Sequence, residues 1–122
     1  MADHSPAFVA LVDSARTRIR EVHASRMPEL LRRMPALRLI DVRERGEFDA
    51  GHIRGAEWIG KGVIERDIEL HHPDRNEPLY LYCGGGFRSA LAAENLQKMG
   101  YRNVWSIDGG WRALKELLQT EP

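Results

Sequence analysis

Apolar positions along this chain recur with two periods, and the changes between them mark the elements. Phe8, Leu11, Val12, Ala15, Ile19 and Val22 fall on one face of a helix. Ser5 followed by Pro6 is the order of an N-cap and a first-turn proline, so a helix is predicted over residues 6–20. Ser25 is placed to cap a second, shorter helix carrying Leu30, Leu31 and Met34, which Pro35 stops. Leu37 to Val42 reads as a buried strand. Gly46, Gly51 and Gly55 punctuate residues 43–57, which predicts loop with one helical turn. Residues 56–59 predict a short strand and residues 63–69 a short helix.

The second half is more regular. Leu79-Tyr80-Leu81-Tyr82, set off by Pro78, predicts a strand that ends on Cys83. Gly84-Gly85-Gly86 predicts a tight loop, because three consecutive glycines are costly inside a helix or strand. Residues 88–99 carry Ala92, Leu96 and Met99 at helical spacing, with Gly100 as the stop. Residues 103–107 predict the next strand. Asp108-Gly109-Gly110 then turns into a last helix bearing Trp111, Leu114, Leu117 and Leu118. Strands alternating with helices predict an α/β fold, a parallel sheet covered on both faces. Sites in such sheets lie at the carboxyl ends of the strands, where Cys83 stands.

Composition narrows the setting. The 122 residues fit one domain. With 43% apolar and 30% charged residues the chain can bury a core, which excludes a disordered polymer. Lys plus Arg and Asp plus Glu each number 18, so no net positive field points to nucleic acid or an anionic membrane surface. No apolar run approaches the ~20 residues of a membrane span. The first residues lack the basic-then-apolar order of a secretory signal. The single cysteine excludes an internal disulfide framework and a multi-cysteine metal site, and it fits a reducing, cytoplasmic setting.

The stretch Cys83-Gly84-Gly85-Gly86-Phe87-Arg88-Ser89 carries the most chemistry. A cysteine between a strand and a helix faces the positive end of that helix. Glycines let the backbone curl so that N–H groups point inward as an anion cradle. Arg88 adds a fixed positive charge at the far side. All three features favour thiolate over thiol. A buried structural cysteine is the competing reading, and the glycine run with Arg88 five positions on weighs against it.

The order Cys-x-x-Gly-x-Arg after a strand resembles the active-site loop of the rhodanese-like sulfurtransferases. Residues 39–44 with Glu47-Phe48, then Gly51-His52-Ile53-Arg54-Gly55-Ala56, resemble that family's first signature. Residues 103–111 resemble its closing strand, Gly-Gly and helix. The likeness runs in family order over about residues 20–118, which leaves 1–20 as an N-terminal helical extension to a domain at 21–122. It implies a three-layer α/β/α fold with a parallel, about five-stranded sheet. It also implies a reaction that needs no cofactor or metal. Cys83 takes a sulfane sulfur from a small donor such as thiosulfate or a persulfide, and a cellular thiol, cyanide or a sulfur-carrier protein removes it.

The same resemblance distributes roles. Backbone N–H groups of Gly84, Gly85, Gly86, Phe87 and Arg88 hold the persulfide, and Arg88 orients the donor's anionic end. Asp41, Arg43, Glu47 and His52 are supporting residues, His52 by tying down backbone rather than as a base. Dedicated thiosulfate enzymes carry basic residues at places where this chain has Gly84 or Gly85 and Glu47. A carboxylate at Glu47 points away from thiosulfate, toward a persulfide or a carrier protein. Arg54 stands where the family has a proline, a change for the loop and not for the fold.

Other candidates have weaker patterns. His71-His72 beside Pro73 predicts an exposed loop without metal-ligand spacing. Gly60-Lys61-Gly62 lacks the spacing of a phosphate loop, which leaves Lys61 as a candidate at the pocket mouth. Trp58, Trp105 and Trp111 are expected in core and pocket wall, and Phe87 is placed to shade the sulfur from water. A phosphatase or arsenate reductase of related fold needs one more residue between Cys83 and Arg88, and a lone cysteine has no resolving partner. A non-catalytic interaction or sulfide-sensing module is the third reading; inactive relatives lose the cysteine or the glycines, and both are kept here.

Overall fold

The computed structural model describes residues 4–122. In chain order its first elements are α1 (Pro6–Arg16), β1 (Arg20–His23), a 3-10 turn at Ala24–Arg26, α2 (Met27–Arg33), β2 (Arg38–Asp41), α3 (Arg45–Ala50), β3 (His52–Ile53) and β4 (Glu57–Trp58). They are followed by α4 (Ile64–His71), β5 (Leu79–Tyr82), α5 (Phe87–Lys98), β6 (Val104–Asp108), α6 (Gly110–Leu114) and β7 (Thr120–Glu121). Five strands form one parallel sheet in the order β1-β6-β5-β2-β4, while β3 and β7 pair antiparallel as a small separate ribbon.

Alternation along the central strands divides the core. Leu79 and Leu81 of β5 join Ile40 of β2 on one face, against Ile64 and Ile68 of α4 and Ala92 and Leu96 of α5. Tyr80 and Tyr82 point the other way and join Leu39 and Ile107, against Met27 of α2 and Leu114 of α6. A parallel sheet buried on both faces by helices is the three-layer α/β/α arrangement. The central strand β5 is buried along its whole length, and its carboxyl end delivers Cys83. Among the described residues no helix is long and apolar enough to cross a membrane.

Several local expectations shift. The first helix stops at Arg16, and Arg20–His23 form the edge strand β1 on β6. Ile19 packs on the α4–α5 side and Val22 on the α2–α6 side, opposite faces as strand geometry requires. No glycine or proline marks that break, so helical spacing alone extends the helix too far. Leu11, expected on the buried face of α1, is 56% exposed; Val12 and Ala15 are fully buried and seat α1, which packs on α5. Ser25 lies inside the 3-10 turn, its amide donating to His23 Nδ1 at 3.1 Å, so it does not cap α2. Helix α6 ends at Leu114, which leaves Leu117 exposed. The ribbon of β3 and β7, two residues on each side, is too short to show a period.

Candidate active site

Cys83 is 1% exposed at the end of β5. The amide of Gly86 donates toward its Sγ at 3.2 Å and that of Ser89 at 3.4 Å. Both N–H groups belong to the start of α5, where a helix leaves its donors without internal partners. The Ser89 hydroxyl oxygen lies 3.6 Å from Sγ and 2.8 Å from Ser106 Oγ, and both serines are fully buried. Gly86 permits this curl. Its φ of +108° is a conformation glycine adopts at no steric cost, and a Cβ there would lie 3.4 Å from Asp108 Cα. Ser89 is thus part of the cradle, beyond the span of Gly84 to Arg88 expected from the sequence.

Two carbonyls at the start of the loop are bonded to α6. Trp111 N–H donates to Cys83 O at 2.7 Å, and Arg112 N–H donates to Gly84 O at 3.2 Å. Helix α6 approaches so closely that a Cβ on Gly110 would stand 2.5 Å from Cys83 O and 2.8 Å from Gly84 O. Gly110, at φ +51°, is therefore required by contact with the cysteine loop as well as by its turn. With these two carbonyls bonded to α6, the Gly86 and Ser89 amides face the sulfur.

Asp41 and Arg43 form a buried pair beside this assembly. Arg43 Nε donates to both Asp41 oxygens at 3.0 Å and Nη2 to Oδ2 at 2.7 Å, with a further bond to Gly51 O at 2.7 Å. The Arg43 guanidinium lies 4.5 Å from the Trp111 ring, so the pair connects to the residue whose amide holds Cys83 O. Burial pushes the Tyr82 hydroxyl pKa well up, with the Asp41 charge adding to it, and this protonated group accepts the Ile53 amide at 3.1 Å. His52 Nδ1 is 3.0 Å from Phe48 O and so carries the proton; the ring stacks on Phe48 at 3.7 Å.

Above the sulfur opens a cavity of about 310 Å³. One wall is aromatic: His4 lies 4.3 Å and Phe8 5.8 Å from the Phe87 ring, and Arg16 covers the same ring at 5.1 Å. Arg88 and Arg112 also line the cavity. Arg88 is tied to Glu47, Nη1 to Oε1 at 2.8 Å and Nη2 to Oε2 at 3.3 Å. The Arg88 hydrogen bond holds the Glu47 carboxyl below the usual carboxylate range despite its partial burial, and the Glu44 amide acts in the same direction. Arg112 lies over Gly85, where a Cβ would come within 2.9 Å of Nη1. Its guanidinium has no hydrogen-bonded or ion-paired partner among the described residues.

The sequence placed Cys83, the glycines, Phe87 and Arg88 together, and the structure brings Glu47 to Arg88 across 41 positions. It brings three further residues that sequence reasoning missed. Phe8 read as helix core, His4 carried no pattern, and Arg112 had only its position after a Gly-Gly turn at a strand's carboxyl end. Lys61 does not line this cavity; its amide donates to Val42 O at 2.9 Å on the loop after β4. His72 is not an exposed loop residue: it is 6% exposed, with Nε2 2.6 Å from Glu57 and Nδ1 2.9 Å from Glu77. Two facing carboxylates hold that ring inside. Trp58 donates to Arg43 O at 2.9 Å, and Trp105 stacks on Tyr80 at 5.7 Å, away from the cavity.

Comparison with known proteins identifies the family and the fold. The family model described as a rhodanese-like domain matches residues 26–117. The Bacillus subtilis (strain 168) protein YqhL is 39% identical over 74 residues, 61% of this chain and 57% of that one. The thiosulfate sulfurtransferase GlpE of Shewanella oneidensis is 33% identical over 81 residues, 66% of this chain and 78% of GlpE. A solved structure from Rhodopseudomonas palustris, described as a protein of unknown function and possible tyrosine phosphatase, is similar with a TM-score of 0.78 at 26% identity, over 95% of each chain. The chain thus spans little more than half the length of YqhL.

Proposed function

This chain belongs to the rhodanese-like domain family, and on that premise we propose that it is a sulfurtransferase whose Cys83 carries a sulfane sulfur as a persulfide. The observation that carries the reading is the sulfur's environment: two amide donors at 3.2 and 3.4 Å on Sγ, in a loop whose first two carbonyls are bonded to α6. Preorganised N–H groups aimed at a sulfur favour its anionic form and cost no reorganisation when charge arrives. The Cys83 thiolate attacks the outer sulfur of the donor. A sulfur–sulfur bond to Cys83 forms, the bond from that sulfur to the donor breaks, and its electron pair leaves with sulfite or a thiolate. The cradle then holds the negative persulfide, with the Ser89 hydroxyl able to donate to it while accepting from Ser106. An acceptor thiolate, cyanide or a carrier protein attacks the terminal sulfur and restores the Cys83 thiolate. Two displacements through a covalent intermediate give ping-pong kinetics.

A phosphatase would need the loop to encircle a tetrahedral oxyanion. This loop is one residue short. The test is the intact mass after incubation with thiosulfate or a small persulfide. Cys83 is expected to gain one sulfur atom, cyanide to remove it, and Cys83→Ser to gain none. A mass unchanged by every sulfane donor, or Cys83-dependent hydrolysis of p-nitrophenyl phosphate, overturns the proposal.

A further inference from the structure

A donor that delivers sulfur to Cys83 must lie in the cavity above it, and the lining there combines aromatic rings with guanidinium groups. Phe87 and Phe8, with His4 at 4.3 Å from Phe87, offer ring surface. Of the two guanidiniums that line the cavity, Arg88 is ion-paired to Glu47, whereas Arg112 has no ion-pair partner among the described residues and is the better placed to pair with an incoming anion. Gly85 has no side chain to hold Arg112 off the loop, and Nη1 lies where a Cβ would crowd it. A volume of about 310 Å³ is at the small end for organic ligands, roughly 300–1,000 Å³, and is more than a bare inorganic anion fills.

Resting on the sulfurtransferase reading, we infer that Arg112 and the Phe8–Phe87 wall are specificity determinants that select an organic sulfane donor with one negative group, a thiosulfonate or a carboxylate-bearing persulfide, over the thiosulfate dianion. Arg112 pairs with the single anionic group in planar, two-pronged geometry. The rings cover the organic stem. A dianion would leave its second charge against aromatic carbon, an environment that does not repay its lost hydration. For a thiosulfonate the Cys83 thiolate attacks the terminal sulfur, the sulfur–sulfonyl bond breaks, and a sulfinate leaves with the electron pair.

The experiment compares benzenethiosulfonate, methanethiosulfonate and thiosulfate as donors, with cyanide as acceptor. The unmodified protein is expected to favour benzenethiosulfonate over thiosulfate by about tenfold or more in kcat/KM, close to 1.4 kcal/mol. Arg112→Gln is expected to raise the benzenethiosulfonate KM about tenfold with a smaller change in kcat, and Arg112→Lys to recover part of the loss. Phe8→Ala is expected to shrink the preference for the benzene over the methane donor several-fold, and Phe8→Leu to keep most of it. Val12 and Ala15, fully buried, keep α1 seated in both variants. Equal use of thiosulfate and benzenethiosulfonate, or an Arg112→Gln loss confined to kcat, overturns the inference. A calorimetric titration of unreactive benzenesulfonate separates this from the underlying reading. If no donor transfers sulfur, the sulfurtransferase reading fails, and benzenesulfonate binding still decides the cavity: weakened by Arg112→Gln it supports the anion site, unchanged it overturns it.

Discussion

The cradle around Cys83 and the mouth above it are a few ångströms apart and are built from different materials. The cradle is backbone: Gly86 and Ser89 amides inside, Cys83 and Gly84 carbonyls bonded outward to α6. The mouth is side chains brought from three separate segments, His4 with Phe8, Phe87 with Arg88, and Arg112, with Glu47 pairing Arg88 from a fourth. On the proposed function, backbone geometry would serve any anionic sulfur, whereas the side chains would discriminate between the molecules that bring it. Chemistry and selectivity are therefore separable here by mutation, the cradle answering in persulfide lifetime and stability and the mouth in KM.

The largest effect is expected below the cradle. Asp41→Ala leaves the Arg43 guanidinium, 3% exposed, without its carboxylate, and breaking a buried pair costs about 3–5 kcal/mol. Denaturant unfolding measures it; a loss under 1 kcal/mol would mean that water or Gly51 O alone satisfies Arg43 and that the pair does not support the loop. Next comes Gly110→Ala, which forces a Cβ onto Cys83 O at 2.5 Å, backbone that has nowhere to yield. A cost of about 3 kcal/mol is expected, with loss of the mass-detected persulfide. If Gly110→Ala holds its persulfide as long as the unmodified protein does, the outward-turned carbonyls are not what makes the cradle.

The same division explains what the sequence could show. β5, the glycine loop and α5 are contiguous, so strand, turn and helix signals fall in order and the loop is legible from Leu79 to Ser89. The sheet, too, is legible where apolar runs are long, at β2 and β5. Arg20–His23 is not, since two exposed and two half-buried residues without a turn signal continue the helical spacing of α1. Nor is the mouth. Glu47 and Arg88 each read as a charge beside a pocket, one repelling and one attracting an anion, and only the structure shows them paired. Arg112 has no local signal because its role comes from the approach of α6 to the loop.

Glu47→Gln tests that pairing. Freed from its carboxylate, Arg88 is expected to lower the thiosulfate KM roughly threefold, the scale of a half-exposed ion pair, while persulfide lifetime stays within error. Steady-state kinetics decides it, and an unchanged or raised KM would mean that Arg88 does not face the donor. The pH dependence has a fixed sign. Arg88 depresses the folded-state Glu47 pKa, so the pair's contribution to stability is present above the ordinary carboxylate range and is lost as pH falls through the lowered value. At neutral pH the pair is intact.

The smallest effect is the most discriminating, because it falls on the boundary between the two regions. Gly84, Gly85 and Gly86 read alike in the sequence, yet only Gly86 of the three has a left-handed φ. A Cβ on Gly85 meets only the Arg112 guanidinium, Nη1 at 2.9 Å and Cζ at 3.8 Å, the far end of a flexible side chain that can swing away. Gly85→Ala is therefore expected to change stability by no more than about 0.5 kcal/mol. Persulfide lifetime should hold, since the Gly86 and Ser89 amides stay where they are. The displaced Arg112 should raise the benzenethiosulfonate KM about twofold to threefold, a fraction of the Arg112→Gln effect. Gly86→Ala is expected to do the reverse, shortening persulfide lifetime through its strained φ of +108° with less effect on KM. Mass-resolved persulfide decay beside donor kinetics for the two variants reads both quantities. If Gly85→Ala shortens the lifetime as much as Gly86→Ala does, the glycine run acts as one flexible unit, and the line between a backbone cradle and a side-chain mouth is drawn in the wrong place.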